Sequence, residues 1–324
     1  MPPQNQPFET DIVRYGPDAI ARAAVLIAEG LPVAVPTETV YGLAADATSE
    51  AAVAGIYRAK GRPACNPLIV HVSDLAAAER IGAFSEAARG AAEAHWPGPL
   101  TLVVPLRPDA GIAAGVTAGL ATIALRCPAS PAMQDLLRAC ARPLAAPSAN
   151  ASGFVSPTTA EHVLSSLGGR IPLIVDAGAA PLGLESTIVA FTGETPRLLR
   201  RGPVEVAGAD SLAAASAPIE APGQLASHYA PSKPVRLDAE AAEADEWLVG
   251  FGAVAGDDTL SASGDLDEAA SSLFAALHRA DRQAKPRIAI APVPVRGIGA
   301  AINDRLKRAA APRRRSARGD GDSG

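Results

Sequence analysis

The chain has 324 residues, 48% of them hydrophobic, and a formal charge of −5, so it can bury a substantial core and is long enough for two domains. Charge divides evenly, 15 basic against 17 acidic residues through Gly202 and 14 against 17 after it, which leaves no basic half to wrap nucleic acid and argues against strong nucleic-acid binding. Cys65, Cys127 and Cys140 are scattered without a CxxC pair, and neither a signal-like start nor a run of about 18 apolar residues occurs; a disulfide framework, a zinc site and a membrane span are all disfavoured, and a reduced cytoplasmic compartment is expected.

Short runs of Val, Ile and Leu alternate with alanine-rich stretches, the pattern of a three-layer α/β domain. Strands are expected near 31–35, 68–72, 101–106, 122–126, 172–175 and 187–191. Pro17 and Gly30 bracket a first helix, Ser49 and Gly61 a second, and Ser130-Pro131 opens another. From Pro203 to Lys233 the composition shifts to Ala, Pro, Ser and Gly and reads as an interdomain linker, although it carries His228 and Tyr229. Beyond it, strands near 234–237, 247–251 and 287–291 and helices near 267–284 and 299–310 describe a smaller Rossmann-like domain. Its GFGAVAG (250–256) spaces glycines for a tight strand-to-helix turn rather than as a dinucleotide fingerprint. The tail from Pro312, with four arginines among Gly, Ser and Asp, has no apolar face and is expected to be disordered.

The rarest polar residues mark where chemistry is concentrated. Only four lysines and four asparagines occur, and Lys60, Asn66 and Asn150 fall in two short segments, KGRPACNPLIVHV (60–72) and PSAN (147–150). Arginine supplies 25 of the 29 basic residues, so a lysine beside Arg62 in a Gly/Pro-rich turn points to chemistry: an ammonium next to a guanidinium suits a polyphosphate. The plainer alternative is a solvated basic helix end. No GxxxxGK[ST], HExxH or GxSxG is present, so an ATP site must be built without a P-loop. Five segments place small or polar groups at strand ends or in the loops that follow, where open α/β sheets bind ligands: PTETVYGLAADA (36–47), the Lys60 segment, ATIALRCP (121–128), PSANASG (147–153), and LESTIV (184–189) followed by LLRRGPV.

In this order, PTETVYGL, KGRP with NPL and a downstream histidine, PSAN and ESTIV resemble YrdC-like domains, and the whole chain resembles the two-domain form of the threonylcarbamoyl-AMP synthase family. The match runs from about residue 10 to 202, and HYAP and RLKRAA resemble that form's carboxy-terminal extension. The resemblance implies a YrdC-like catalytic domain with a twisted mixed sheet (10–202); with the composition beyond it, this divides the chain into that domain, an interdomain linker and candidate active-site lid (203–233), a Rossmann-like C-terminal α/β domain (234–311) and a disordered tail (312–324). It implies a nucleotidyltransferase that converts L-threonine, bicarbonate or CO2, and ATP into threonylcarbamoyl-AMP and pyrophosphate. That product feeds the modification of the tRNA adenosine next to the anticodon, through the tRNA threonylcarbamoyl-transferase machinery.

Such a reaction brings anionic reactants together and calls for concentrated positive charge. Lys60 and Arg62 are expected on the triphosphate and the departing pyrophosphate, with Arg200 reaching phosphate or ribose from the opposite side. Arg126 either takes the threonine carboxylate as a bidentate fork or makes a structural salt bridge. Ser148 and Asn150 either orient ATP or cap their turn. By the resemblance, Thr39, His71, Ala146 and Ser186 fall at positions associated with threonine, and Asn66, Thr122 and Ser156 at positions associated with ATP. By chemistry alone, a lone strand-end histidine such as His71 is more often structural. Cys65 is expected to fill a small space.

No carboxylate cluster suggests a protein-held metal, so Mg2+ is expected to arrive on the ATP phosphates. Neither a general base nor an acid pair is apparent, and cationic surroundings would favour the neutral threonine amine. His228-Tyr229 is expected to fold over the nucleotide as a lid. Two other readings stand beside this one. One is a carbamoyl-adenylate-forming module of the kind found in larger carbamoyltransferases, whose acylphosphatase-like and zinc-binding regions are missing here. The other is an RNA-holding module, disfavoured by the acidic balance and an aromatic content of 4%.

Overall fold

A computed structural model describes residues 8–209, 220–223 and 229–312; His228 of the expected lid and the arginine-rich tail beyond 312 lie outside the described residues. Strands β1 (Asp11–Arg14), β2 (Val33–Pro36), β3 (Tyr41–Asp46), β4 (Ile69–His71), β5 (Leu100–Pro105), β6 (Thr122–Arg126), β7 (Leu144–Ala145), β8 (Leu173–Asp176), β9 (Thr187–Ala190) and β10 (Arg197–Arg200) form one mixed sheet, in the order β1-β8-β2-β3-β7-β4-β6-β5-β9-β10. Helices α1 (Pro17–Ala28), α2 (Glu50–Lys60), α3 (Leu75–Ile81), α4 (Glu86–His95), α5 (Ala114–Thr117), α6 (Pro131–Cys140) and α7 (Ala160–Leu167) accompany it.

The helices divide between the two faces, giving three layers. On one side α1 and α6 bury Ile20, Ile27, Met133 and Leu136 against Val33, Val35 and Leu173. On the other, α2 to α5 and α7 contribute to a large cluster containing Leu43, Val70, Leu102 and Leu125. Part of the first face carries no helix among the described residues. There Ile69, Val103, Ala124, Ile188, Ala190 and Leu199 form a small apolar floor together with Ala221 from the connecting segment. Because side chains alternate along a strand, Thr122 and Arg126 at the two ends of β6 share this face with Ala124.

Local signals explain the punctuation around the floor. Ser49 caps α2 by accepting the Ala52 amide, and Gly61, at φ 59°, closes it in the left-handed conformation, which costs glycine nothing. Lys60 is therefore the last helical residue. At α6 the Ser130 hydroxyl does not cap the helix; it donates to the Pro36 carbonyl at 2.8 Å and ties the helix start to β2.

Four strands of this sheet, β1, β3, β7 and β10, were not expected from the sequence. β3 runs through YGLAAD and is buried along its whole length, so it lacks the polar alternation that marks a half-exposed strand. Its alanines and glycine let neighbours approach: a Cβ on Gly42 would meet the Ala146 Cβ at 3.4 Å.

The second sheet is parallel throughout, in the order β11 (Val235–Arg236), β14 (Arg287–Ile290), β12 (Glu246–Gly250), β13 (Asp258–Thr259), with helices α8 (Leu266–Asp281) and α9 (Gly299–Ala310). This is a small Rossmann-like arrangement. The GFGAVAG glycines do serve a tight turn, but it leads into β13 rather than into a helix. Cβ atoms on Gly250 and Gly256 would lie 2.3 Å from the Val254 carbonyl oxygen and 2.5 Å from that of Leu248.

The two sheets are not independent beads on a string. The apolar cluster of the second includes Val40, Val155 and Leu184 from the first, and Tyr229 between them. The stretch whose composition reads as a linker contributes buried Ala209, Ala221 and Tyr229. Gly183, at φ +64°, lies so close to α8 that a Cβ would sit 2.3 Å from the Ser271 carbonyl oxygen.

Candidate active site

The Lys60 side chain is 2% exposed. Its ammonium donates to the carbonyls of Ser148 and Asn150, both at 2.5 Å, while its own carbonyl accepts the Ser152 amide. Burial, reinforced by the Arg62 charge, holds its pKa well below the ordinary lysine value. Arg62 donates to the carbonyls of Asn66 at 3.0 Å and Pro67 at 2.7 Å, and burial pushes its pKa down to about 10. Both amide atoms of the Asn66 side chain and the Asn150 Oδ1 are buried without a hydrogen-bond partner, whereas Asn150 Nδ2 donates to Ala151 and Phe154 carbonyls. Thr122 begins β6 beside this group: Ile69 pairs with Ala124 in parallel register, so Pro67 and Thr122 lie two residues back on adjoining chains.

At the other end of β6, Arg126 is registered with His71. Its guanidinium meets Glu38 at 2.6 Å, the Thr39 hydroxyl at 3.0 Å and the Gly98 carbonyl at 3.3 Å. The second oxygen of Glu38 accepts the Ser130 amide. Burial opposes ionisation of Glu38, yet Arg126 outweighs it and holds the carboxyl below its usual range. His71 is driven to about 3 by burial and by the Arg126 charge, so its imidazole is neutral, and its Nδ1 has no partner. Ala146 faces the same region and donates its amide to the Ile69 carbonyl.

A third group lies across β5, β9 and β10. Ser186 shares a hydrogen bond with Thr101 at 2.7 Å and receives Arg200 through both its hydroxyl and its carbonyl, each at 3.0 Å. Burial lowers the Arg200 pKa, partly offset by the nearby Tyr229 phenol. Ser156 is fully buried; it donates to Glu185 at 2.5 Å, and its carbonyl faces His278 Nε2 at 3.1 Å. Tyr229 stacks on Phe274 at 5.6 Å with Arg305 over its ring at 5.2 Å.

The expected residues thus gather around one apolar floor, in linked groups. Lys60 reaches Ser148 and Asn150, Arg62 reaches Asn66, Arg126 reaches Thr39, and Arg200 reaches Ser186 with Tyr229 nearby. One expectation is corrected. Cys65 is exposed and fills no space, because its loop turns outward between Pro63 and Asn66. The site also contains carboxylates: Glu38 and Glu185, both inside the motifs quoted above, are buried, their charge made tolerable by Arg126 and Arg305. Thr101 and Arg305 are further residues not singled out from sequence. Among the described residues no group of three or more metal-ligating side chains occurs, and no helix is long and apolar enough to cross a membrane.

A mixed sheet that carries buried cations at its strand ends, joined to a small parallel α/β sheet with two helices, defines an α/β protein of two parts. A family model described as "Telomere recombination" matches residues 25–202, and one described as "Threonylcarbamoyl-AMP synthase, C-terminal domain" matches 198–311. The threonylcarbamoyl-AMP synthase of Bacillus subtilis is 38% identical over 94% of this chain and 96% of its own length, and that of Pyrococcus abyssi is 38% identical over 89% and 92%. The crystal structure of P. abyssi Sua5 complexed with L-threonine superposes with a TM-score of 0.85 at 36% identity, covering 93% of this chain and 97% of that one. The chain belongs to the threonylcarbamoyl-AMP synthase family, nucleotidyltransferase enzymes of tRNA modification.

Proposed function

We propose that the buried polar groups gathered around the apolar floor are where this chain joins L-threonine, bicarbonate or CO2, and ATP into threonylcarbamoyl-AMP and pyrophosphate. One observation carries the assignment of the site. Lys60, Arg62 and Arg200 are buried cations held by carbonyl and hydroxyl oxygens rather than by carboxylates, next to Asn66 and Asn150 amide atoms that lack partners. Each desolvated charge of this kind costs several kcal/mol, and an anionic, hydrogen-bonding ligand offsets that cost. Nucleoside triphosphate fits both needs, with Mg2+ carried on its phosphates.

The roles then divide along β6. Lys60, Arg62, Asn66, Thr122, Ser148, Asn150, Ser156, Arg200 and Tyr229 serve ATP; Thr39, His71, Arg126, Ala146 and Ser186 serve threonine. Arg126 enters this arrangement already paired with Glu38, so the salt-bridge and the ligand-binding readings of that residue hold together: Glu38 and Thr39 fix the guanidinium plane that receives the threonine carboxylate. Both oxygens of Glu38 and both of Glu185 are engaged, which leaves neither as a free base. The surrounding cations favour the neutral threonine amine. That amine forms a bond to the carbon of CO2 with loss of its proton; a carbamate oxygen then attacks the α-phosphorus as the bond to pyrophosphate breaks, and the positive charges stabilise the leaving group. The product is passed to the tRNA threonylcarbamoyl-transferase machinery in the cytoplasm.

Pyrophosphate release is the test. It should require L-threonine, bicarbonate and Mg2+-ATP together, and threonylcarbamoyl-AMP should be found by mass spectrometry. Release driven by carbamoyl phosphate without threonine would replace this reading with the carbamoyl-adenylate one, and no release under either condition would reject both.

A further inference from the structure

Arg305 is the largest fully buried side chain among the described residues, and it belongs to the second domain. It lies in α9, on the stripe formed by Ala301, Ile302, Leu306 and Ala309 that packs inward. A guanidinium on an apolar stripe is costly unless every donor finds a partner. Here the partners lie largely in the other domain. Nε donates to Glu185 at 2.9 Å, one terminal nitrogen to the Arg201 carbonyl at 2.9 Å, the other to the neighbouring Asp304 at 2.9 Å, and the plane covers the Tyr229 ring.

These contacts lead directly to the residues assigned above to the nucleotide. The second oxygen of Glu185 accepts the Ser156 hydroxyl. The Tyr229 phenol lies beside Arg200: a Cβ on Gly223 would be 2.8 Å from the phenol oxygen, 2.9 Å from Arg200 Cδ and 3.3 Å from one of its terminal nitrogens, so both side chains border the same small space. One residue of the second domain thus grips both Ser156, through Glu185, and Arg200, through Tyr229.

We propose that Arg305 is a positioning residue for ATP, and that the second domain is in this way a working part of the nucleotide site rather than an appendage. The proposal rests on the reading of Ser156, Arg200 and their neighbours as an ATP site. Arg305 touches no reacting group. It fixes the Glu185 carboxylate and the Tyr229 ring, and without it Glu185 is left buried and unpaired, free to pull Ser156 away.

The test compares the full-length wild type with Arg305→Met, Arg305→Lys and the double variant Arg305→Met/Glu185→Gln, measuring Mg2+-ATP and L-threonine dissociation constants by equilibrium titration, and melting temperatures in parallel. Arg305→Met should weaken ATP binding about tenfold or more while threonine binding stays within about twofold. Arg305→Lys should fall between, because one ammonium can meet Glu185 but cannot also reach Arg201 and cover Tyr229. The double variant strands no charge, so its melting temperature should recover, yet its ATP affinity should remain about fivefold weaker or more.

If ATP affinity recovers together with the melting temperature, or if threonine affinity falls as far as that for ATP, Arg305 is purely structural and the proposal is overturned. Should Arg305→Met fail to fold, the lysine and double variants decide the question, since neither leaves an unpaired carboxylate. Pyrophosphate release by the wild type tests the underlying reading separately. A wild type that binds ATP without threonine-dependent release rejects that reading and leaves the Arg305 comparison valid; one that binds no ATP overturns both.

Discussion

Replacing Lys60 by methionine separates two effects that usually travel together. The substitution keeps an unbranched chain of similar length and so opens little space at the end of α2. It removes a charge whose burial beside Arg62 is itself unfavourable, by several kcal/mol for a desolvated ion. It also removes two charge-assisted hydrogen bonds to the Ser148 and Asn150 carbonyls, worth about 1.5–3 kcal/mol each. Globally these terms oppose one another, so the melting temperature should move by only a few degrees, on the order of 1 kcal/mol. Locally they do not cancel, because the PSAN turn loses its tether at the point where Asn150 must present Oδ1. A local loss of about 3 kcal/mol corresponds to about a hundredfold at 1.4 kcal/mol per decade. Pyrophosphate release at saturating threonine and bicarbonate should fall by about that factor while thermal denaturation remains cooperative and nearly unshifted. Activity within about threefold of wild type in a folded protein would refute the role given to Lys60. A parallel collapse of activity and melting temperature would reduce it to a fold residue.

Three further outcomes follow from the geometry. Arg126→Lys should raise the KM for L-threonine about tenfold or more with a smaller effect on that for ATP, since one ammonium cannot hold Glu38, Thr39 and a substrate carboxylate at once; an unchanged threonine dependence would make Arg126 structural only. Tyr229→Phe, which keeps the contacts with Phe274 and Arg305, should retain the melting temperature and lose part of the activity, whereas Tyr229→Ala should lose most net product through hydrolysis of the adenylate; equal product yield from Tyr229→Ala would remove the shielding role. His162 of α7 stacks on His278 of α8 at 3.8 Å, among Arg279, Arg282 and Asp281, and burial drives the two to about 3 and about 4. The unfolded chain takes up these protons near pH 6.5 and the folded chain does not, so stability is fully present above about pH 6.5 and should fall as pH drops towards 4. Melting curves should show a shallower slope over that range in His162→Phe; an unaltered slope would exclude the pair as its source.

How much of this was legible in the sequence depends on what kind of signal each residue leaves. Lys60 stands out because lysine is scarce, but a solvated helix end was an equal alternative on that segment alone, and its burial comes from the PSAN turn folding back over α2 from 88 to 90 residues away. Glu38 and Glu185 are visible inside PTETV and LESTI, yet nothing local says that Arg126 and Arg305 neutralise them; such pairings are non-local and leave no spacing to read. Arg305 did leave one. Ala301, Ile302, Leu306 and Ala309 set a helical stripe, and residue 305 falls on it at i+4 and i+3, where a charge demands a buried partner. The runs that became β4, β5, β6, β8 and β9 were found because Val, Ile and Leu mark buried strands, while β3 was missed because a strand of Gly and Ala, chosen for close approach, resembles a loop.

The strand β6 has a consequence beyond holding its neighbours. Thr122 and Arg126 sit on one face with four residue steps between them, about 13 Å at 3.3 Å per step, and no flexible segment intervenes. On the site assignment proposed above, the strand works as a ruler, fixing from the amino-acid end how far away the nucleotide end begins. A rule of this kind has marks only at every second residue. Deleting one position would not shorten the gauge slightly; it would turn one of its two ends to the opposite side of the sheet. Variants that accept longer or shorter amino acids should therefore be sought in the loops at either end, where length can change by degrees, and not within the strand itself.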